Sequence, residues 1–292
     1  MPNLKEVRNR IVSVGSTMQI TSAMKMVSAA KLKRAQDAIT QMRPYANKLQ
    51  EILQNVSSSL DTSENAYART NTAKNILLIC ISSNRGLAGG FNANVIKKTW
   101  SLIKNEYQGQ NVSVICIGKK AADAFKRTEH HIHGTDLPHN LNEIFDRLTY
   151  DNVAPIAEKI METFVNKEFD KIVLVYNQFK NAAVQIVQDE QFLPVQASEN
   201  ASTTSSTDYI FEPSKEFIVS DLIPRSLKTQ FYKALLDSLA SEHGARMTAM
   251  HKATDNAKDM LRDLKISYNK ARQTAITTEI LEIVAGAEAL NG

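Results

Sequence analysis

The segment Ser82–Asn92, SSNRGLAGGFN, is where residue type and spacing in this chain come nearest to a chemical site. Gly86, Gly89 and Gly90 follow an apolar run, NILLICI, and precede a segment with helical character, the place where α/β proteins put a phosphate-binding turn. The spacing is not Gly-x-Gly-x-x-Gly, and no Gly-Lys-Ser/Thr follows to supply a cation and a metal-binding hydroxyl. A tight strand-to-helix turn, with glycine admitting positive φ or close packing, is the stronger reading. His130, His131 and His133 lie close enough to invite metal chemistry, and His131 and His133 would share a face of an extended segment. No carboxylate–His or Cys cluster elsewhere completes a ligand set, so a surface loop is favoured. His243 and His251, far along the chain, are expected to face solvent or a partner. No Ser/His/Asp or Cys/His arrangement stands out, and the carboxylates show no acid–base spacing. The chain therefore reads as having no active site, cofactor or metal of its own.

The elements around that turn alternate strand and helix. Strand-like runs occur at NILLICISS, VSVICIG, KIVLVYNQF and AVQIVQDEQFLPV, with helices from about 93 to 106, 119 to 127 and 153 to 166. Continuous apolar strands between helices argue a parallel sheet covered on both faces. Cys80 and Cys116 sit inside two of those runs and are expected to be buried and reduced. Residues 57–74 read as a linker, EHHIHGTDLPHN as loop or short strand, and ASENASTTSSTD as a Ser/Thr-rich loop.

Long helices flank this region. In the first, apolar or small residues recur at steps of three and four: Val7, Ile11, Val14, Met18, Thr21, Lys25, Ser28, Leu32, Ala35, Ile39, Met42, Ala46, Leu49, Leu53, Val56 and Leu60. Only Lys25 breaks the pattern badly. This is a coiled-coil seam, and a helix of that extent is on the order of 80 Å long, more than one small core can bury. From Leu222 to about Ala289 a second helix offers a looser, Ala-rich seam at Leu235, Leu239, Ala249, Ala253, Met260, Leu264, Ala271, Leu281 and Ala285. Antiparallel pairing is the economical solution for two helices of one chain. The expected fold is α/β: a long antiparallel coiled coil of N- and C-terminal helices with an inserted Rossmann-like domain. Residues 1–60 and 214–292 form the coiled coil and 75–213 the α/β domain.

At 292 residues and 43% hydrophobic, the chain has the composition of an ordinary globular protein, without a run long enough to span a membrane and without a secretory h-region at its start. The net charge of +4 is unevenly placed: residues 1–60 carry nine Lys or Arg against three Asp or Glu. Those basic residues are scattered around the helix without interleaved aromatics, which argues against nucleic acid and leaves anionic lipid, an acidic protein surface or a solvated face.

Three motifs resemble the γ-subunit family of F-type ATP synthases: ITSAMKMVSAAKLKRAQ at 20–36, SEHGARMTAMHKATDNAKDM at 241–260, and NKARQTAITTEILEIVAGAEAL at 269–290. The turn SSNRGLAGGFN is similar to that family's own, and the resemblance runs the length of the chain in one order. It implies a rotor shaft inside an α3β3 catalytic hexamer, coupling proton transport through a c-ring to ATP synthesis or hydrolysis. The α/β domain would sit on the c-ring with ε, and membrane association would come through the ring only. ATP chemistry would belong to the partners. Residue by residue, Met24, Lys25, Arg246, Arg272, Gln273, Thr277 and Glu279 match β-subunit contacts, and Tyr209 and Phe211 match the c-ring and ε region. The cysteine insertion of the chloroplast members is missing, so thiol control is not implied. Without an evident organellar transit peptide, the resemblance is to the bacterial type, at the cytoplasmic face of the inner membrane. The alternatives are a nucleotide-binding α/β protein with a coiled-coil dimerisation arm, which would bind nucleotide by itself, and a cytosolic coiled-coil scaffold, which would self-associate without α and β.

Overall fold

The computed structural model describes residues 4–59, 66–69, 74–132, 141–195 and 221–291. The chain divides into two compact units: Met1–Ser28 with Met247–Gly292, and Ala29–Arg246.

In the first unit the seam of helix α1 (Leu4–Ser59) pairs with helix α5 (Ile223–Asn291). Val7, Thr21 and Ser28 are buried and Ile11, Val14, Met18 and Lys25 half-buried, while Val12, Ile20, Met26 and Val27 on the opposite side are exposed. A Cβ at Gly15 would lie 3.9 Å from Leu261, Thr254 donates to the Thr21 hydroxyl at 2.9 Å, and Lys25 Nζ is 3.3 Å from His251 Nδ1. Each step forward on α1 is a step back on α5, so the pair is antiparallel.

The α5 side of the seam departs from expectation. Met250, Ala257, Leu261, Leu264, Tyr268, Ala271 and Thr274 face inward, whereas Met260 is 54% exposed. Met260 and Leu261 are adjacent, about 100° apart on the helix, and only one of them can point at α1. Leu281 and Ala285 are also exposed. Leu4 at the start of α1 already lies beside Ala271, Thr274, Ala275 and Thr278, in an open groove of about 570 Å³, so α1 offers nothing further for α5 to pair with.

The second unit is built on strands β1 (Asn75–Ile81), β2 (Asn111–Ile117), β3 (Lys171–Phe179) and β4 (Gln185–Leu193), in the spatial order β2-β1-β3-β4. β1 is parallel to both β2 and β3, as the apolar runs predict. β4 is antiparallel. Its short connection from β3 is closed by the Asn181 carboxamide, which accepts the Ala183 and Val184 N–H groups at 2.9 and 2.7 Å, and a connection this short permits only antiparallel pairing.

Alternate residues of β1 face opposite layers. Ile76, Leu78 and Cys80 pack with Val95 of α2 (Phe91–Ser101) and with Ala121 and Phe125 of α3 (Lys119–Phe125). Leu77, Ile79 and Ile81 pack with Val153, Ala157, Ile160 and Phe164 of α4 (Tyr150–Val165) and with Ile223, Leu227, Phe231 and Leu235 of α5. Of the remaining α1 seam residues, Leu32, Ala35, Ile39, Ala46 and Leu49 are buried and Met42 half-buried, while the side chains of Leu53, Val56 and Leu60 lie outside the described residues.

Gly118, between β2 and α3, has φ 99°, and a Cβ there would fall 2.3 Å from the Ser82 carbonyl oxygen. Backbone on both sides leaves no cheap relief. Gly118→Ala is expected to cost at least about 2 kcal/mol in urea unfolding. Gly109→Asn, at φ 81° with no atom within 4 Å of the added Cβ, should cost under about 1 kcal/mol.

Candidate functional site

The glycine turn closes the carboxyl end of β1, where the strand order reverses and an open α/β sheet has its binding crevice. Side chains of the chain itself occupy that crevice. Asn92 Oδ1 accepts the Ser83 N–H at 2.9 Å and its hydroxyl at 3.0 Å, and Asn177 donates to the Phe91 carbonyl at 3.2 Å. The Ser82 hydroxyl accepts the Ala121 N–H at 2.8 Å. Positive φ falls on Leu87 (62°) and Gly89 (56°), so the tight-turn reading is borne out at Gly89 while Leu87 bears the same conformation without glycine's freedom.

Arg246 decides what the turn can bind. The residue is 8% exposed, pairs with Glu242 at 2.5 Å, and donates to the Arg85 and Gly86 carbonyls at 3.2 and 3.3 Å. A phosphate cradle needs N–H groups converging on an anion. Here two carbonyls converge on a guanidinium, which is the opposite polarity. Burial pushes the Glu242 carboxyl up and the Arg246 charge pulls it back.

His243 corrects the sequence reading: it does not face solvent. It is buried, with Nδ1 lacking a hydrogen-bond partner, because α5 is enclosed on nearly all sides in this stretch. His251 is exposed as expected, within 3.4 Å of Asp255. His130 Nδ1 lies 2.9 Å from the Val112 carbonyl and His131 forms an isolated bridge with Val114, while His133 falls outside the described residues. Cys80 and Cys116 face each other in the β1–β2 register as free, buried thiols. Burial pushes Cys80 up to about 12 and Cys116 upward as well, so both are unreactive.

The residues matched to partner contacts do not form one cluster. Met24 and Lys25 are half-buried on α1, and Arg246 is engaged within the chain as described. Arg272, Gln273, Thr277 and Glu279 are exposed on α5, and among the described residues Arg272 and Glu279 have no ion-pair partner. Tyr209 and Phe211 fall outside the described residues. Sequence reasoning missed the exposed apolar end of α5: Ile276, Ile280, Leu281, Ile283 and Val284 are 49–65% exposed. The signal was available, as apolar density in ITTEILEIVAGAEAL beyond the point where α1 can pair. It also missed Arg43 and Asp237, joined at 2.9 Å, for which adjacent sequence holds no signal.

Helices at both chain ends, an α/β sheet between them in sequence, and a crevice filled by the chain's own side chains set the class: an α/β protein carried between long terminal helices. Among solved structures it is similar to a chain of the Tetrahymena thermophila mitochondrial ATP synthase central stalk and c-ring, at 26% identity, covering 80% of this chain and 99% of that one, with a TM-score of 0.58. A chain of the Euglena gracilis mitochondrial ATP synthase, at 19% identity, shares the fold across 98% of this chain and 94% of that one, with a TM-score of 0.67. The ATP synthase family matches residues 3–290. The ATP synthase gamma chain of Flavobacterium johnsoniae is 62% identical and that of Christiangramia forsetii 59%, each over the full length of both chains. The chain belongs to the ATP synthase gamma chain family.

The buried histidine gives a pH signature. Burial first, then the Arg246 and Lys31 charges, holds His243 down from 6.5 to about 4. The unfolded chain takes up that proton near pH 6.5 and the folded chain only near 4, so the stability is present above 6.5 and lost as pH falls through that window. The slope is at most about 1.4 kcal/mol per pH unit. Urea midpoints between pH 7 and 5 should fall less steeply for His243→Leu than for the parent, with Glu242 common to both.

Proposed function

We propose that this chain is the central rotor shaft of an F1Fo ATP synthase, passing torque between a proton-driven c-ring and an α3β3 catalytic hexamer, with ε as a further partner. Residues 1–60 and 214–292 supply the shaft helices and 75–213 the α/β body. The observation that carries this reading is the apolar end of α5. A solvated helix with Ile276, Ile280, Leu281, Ile283 and Val284 49–65% exposed needs an enclosing apolar surface. A ring of subunits around the helix supplies one while still allowing it to turn. Like its family members, the chain lends itself to asymmetric contact: different faces of α5 meet different β subunits and bias each toward a different state.

Arg272, Gln273, Thr277 and Glu279 are the β-subunit contacts of α5, and Met24 and Lys25 those of α1. Arg246 acts from beneath by holding the 85–86 backbone. Tyr209 and Phe211 contact the c-ring and ε. No helix among the described residues is long and apolar enough to cross a membrane, which accords with attachment through the ring at the cytoplasmic face of a bacterial inner membrane.

Co-purification from native membranes tests the assignment: α, β, ε and c subunits should accompany the tagged chain, and their absence would refute it. Within that complex, Arg272→Ala and Gln273→Ala should lower coupled ATP hydrolysis, and a desolvated Arg272 contact would be worth about 2–5 kcal/mol. Met24→Lys is expected to place a second cation beside Lys25 and to reduce protons moved per ATP hydrolysed in inverted vesicles. Parent-like turnover and pumping in all three variants would remove these residues from the contact set.

A further inference from the structure

Within the Ala29–Arg246 unit, α1 meets its neighbours mainly through small and aliphatic side chains: Leu32, Ala35, Ile39, Ala46 and Leu49. Apolar contact is non-directional and does little to oppose rotation of a helix about its own axis or sliding along its bed. One residue behaves differently. Arg43 Nη2 donates to Asp237 Oδ1 of α5 at 2.9 Å and to the Phe179 carbonyl at the end of β3 at 3.0 Å. Among the described residues of this unit, these are the only hydrogen bonds from α1 to another element. They join a helix, a second helix and the sheet at one point.

The burial is one-sided. Asp237 is 0% exposed with Oδ2 lacking a hydrogen-bond partner, and the neighbouring Ser238 hydroxyl is buried and unpaired as well. The Arg43 side chain is 40% exposed. A buried ion pair is a poor device for stability, because a well-packed apolar pair of similar volume does as well or better. What an ion pair supplies that an apolar pair cannot is direction: one nitrogen, Arg43 Nη2, donates to acceptors on two different elements, and it meets both only within a narrow range of azimuth and axial position of α1.

We propose that the Arg43–Asp237–Phe179 junction is a torsional lock, a positioning device that makes α1 turn together with the α/β body. The proposal rests on the rotor reading. α5 already moves with the body, since Leu227, Phe231, Ala234 and Leu235 belong to the core beneath the sheet. α1 has no comparable share of that core, and the lock gives it a directional hold. Arg43 touches neither nucleotide nor the hexamer in this role and acts through the position of α1.

The test uses the α3β3γ complex with a bead fixed to the α/β body and the hexamer stalled by a non-hydrolysable nucleotide. In the R43M/D237L double variant the apolar replacement should preserve melting temperature to within a few degrees and allow assembly. The angular fluctuation of the bead should broaden severalfold, and protons pumped per ATP in the full membrane complex should fall. A merely structural ion pair would show the reverse, altered melting with parent-like fluctuation, and that result overturns the lock. If the double variant does not assemble, R43K decides: its ammonium sits one bond nearer the backbone than Arg43 Nη2, so it keeps the charge without reaching both acceptors from the parent position of α1, fluctuation should be intermediate, and parent-like width overturns the proposal. Failure of the parent chain itself to join α3β3 would refute the rotor reading instead, which keeps the two failures apart.

Discussion

Between Ile223 and Arg246, α5 is buried on nearly every face, and every polar group it carries there has to be accommodated inside the protein. The apolar part of that burial is conventional: Ile223, Leu227, Phe231 and Leu235 lie in the core under the sheet, with the Phe231 ring 5.9 Å from that of Phe192. The polar part sets the architecture. Ser241 donates to the Asn177 carbonyl at 2.9 Å, Gln230 to Glu190 at 2.8 Å, Asp237 takes Arg43, and Arg246 takes Glu242 and the glycine turn. Leaving any such buried group unpaired costs about 1–3 kcal/mol, so the helix, both neighbouring strands and the turn after β1 are placed by the same requirement.

Close approach is the second half of that requirement. Gly244 lies where a Cβ would come within 3.3 Å of the Ala182 backbone and the Phe179 ring. Ala234, Ala240 and Ala245 are buried beside it along the helix. Small residues read in the sequence as a thin coiled-coil seam. In this stretch they have a different use, admitting the β3–β4 connection and the glycine turn to the helix surface, which is why the periodicity of α5 is blurred.

The difference between the two long helices explains what was legible. α1 keeps one buried side over its described length, so a single period of three and four carries from Val7 to Leu49 with no residue misplaced. α5 changes its surroundings along its length, from enclosure near Phe231 to full exposure near Ile280, and no single period describes it. The parallel strands were legible because burial on both faces leaves continuous apolar runs, and β4 less so because half-buried Gln188 and Glu190 and exposed Asp189 interrupt its pattern. His243 was misjudged since an imidazole on a helix carries no mark of which side it faces. Arg43 and Asp237, distant in sequence, meet only through tertiary packing.

The glycine turn shows how, in a topology suited to ligand binding, the usual crevice comes to be filled by the chain itself. Strand order reverses at β1, as it does in nucleotide-binding sheets. A ligand site there requires backbone N–H groups left free at the mouth and space above them. In this chain the Ser83 N–H is taken by Asn92, the Ser82 hydroxyl by Ala121, and the space is entered by Arg246 and Ala245 of α5, which packs on Ala88 and Phe91 of the turn and α2. The C-terminal helix stands where a substrate would stand. The interaction energy that an enzyme of this topology spends on a nucleotide is here spent on fixing α5 to the sheet, and that attachment is what a part that must carry force between other subunits requires.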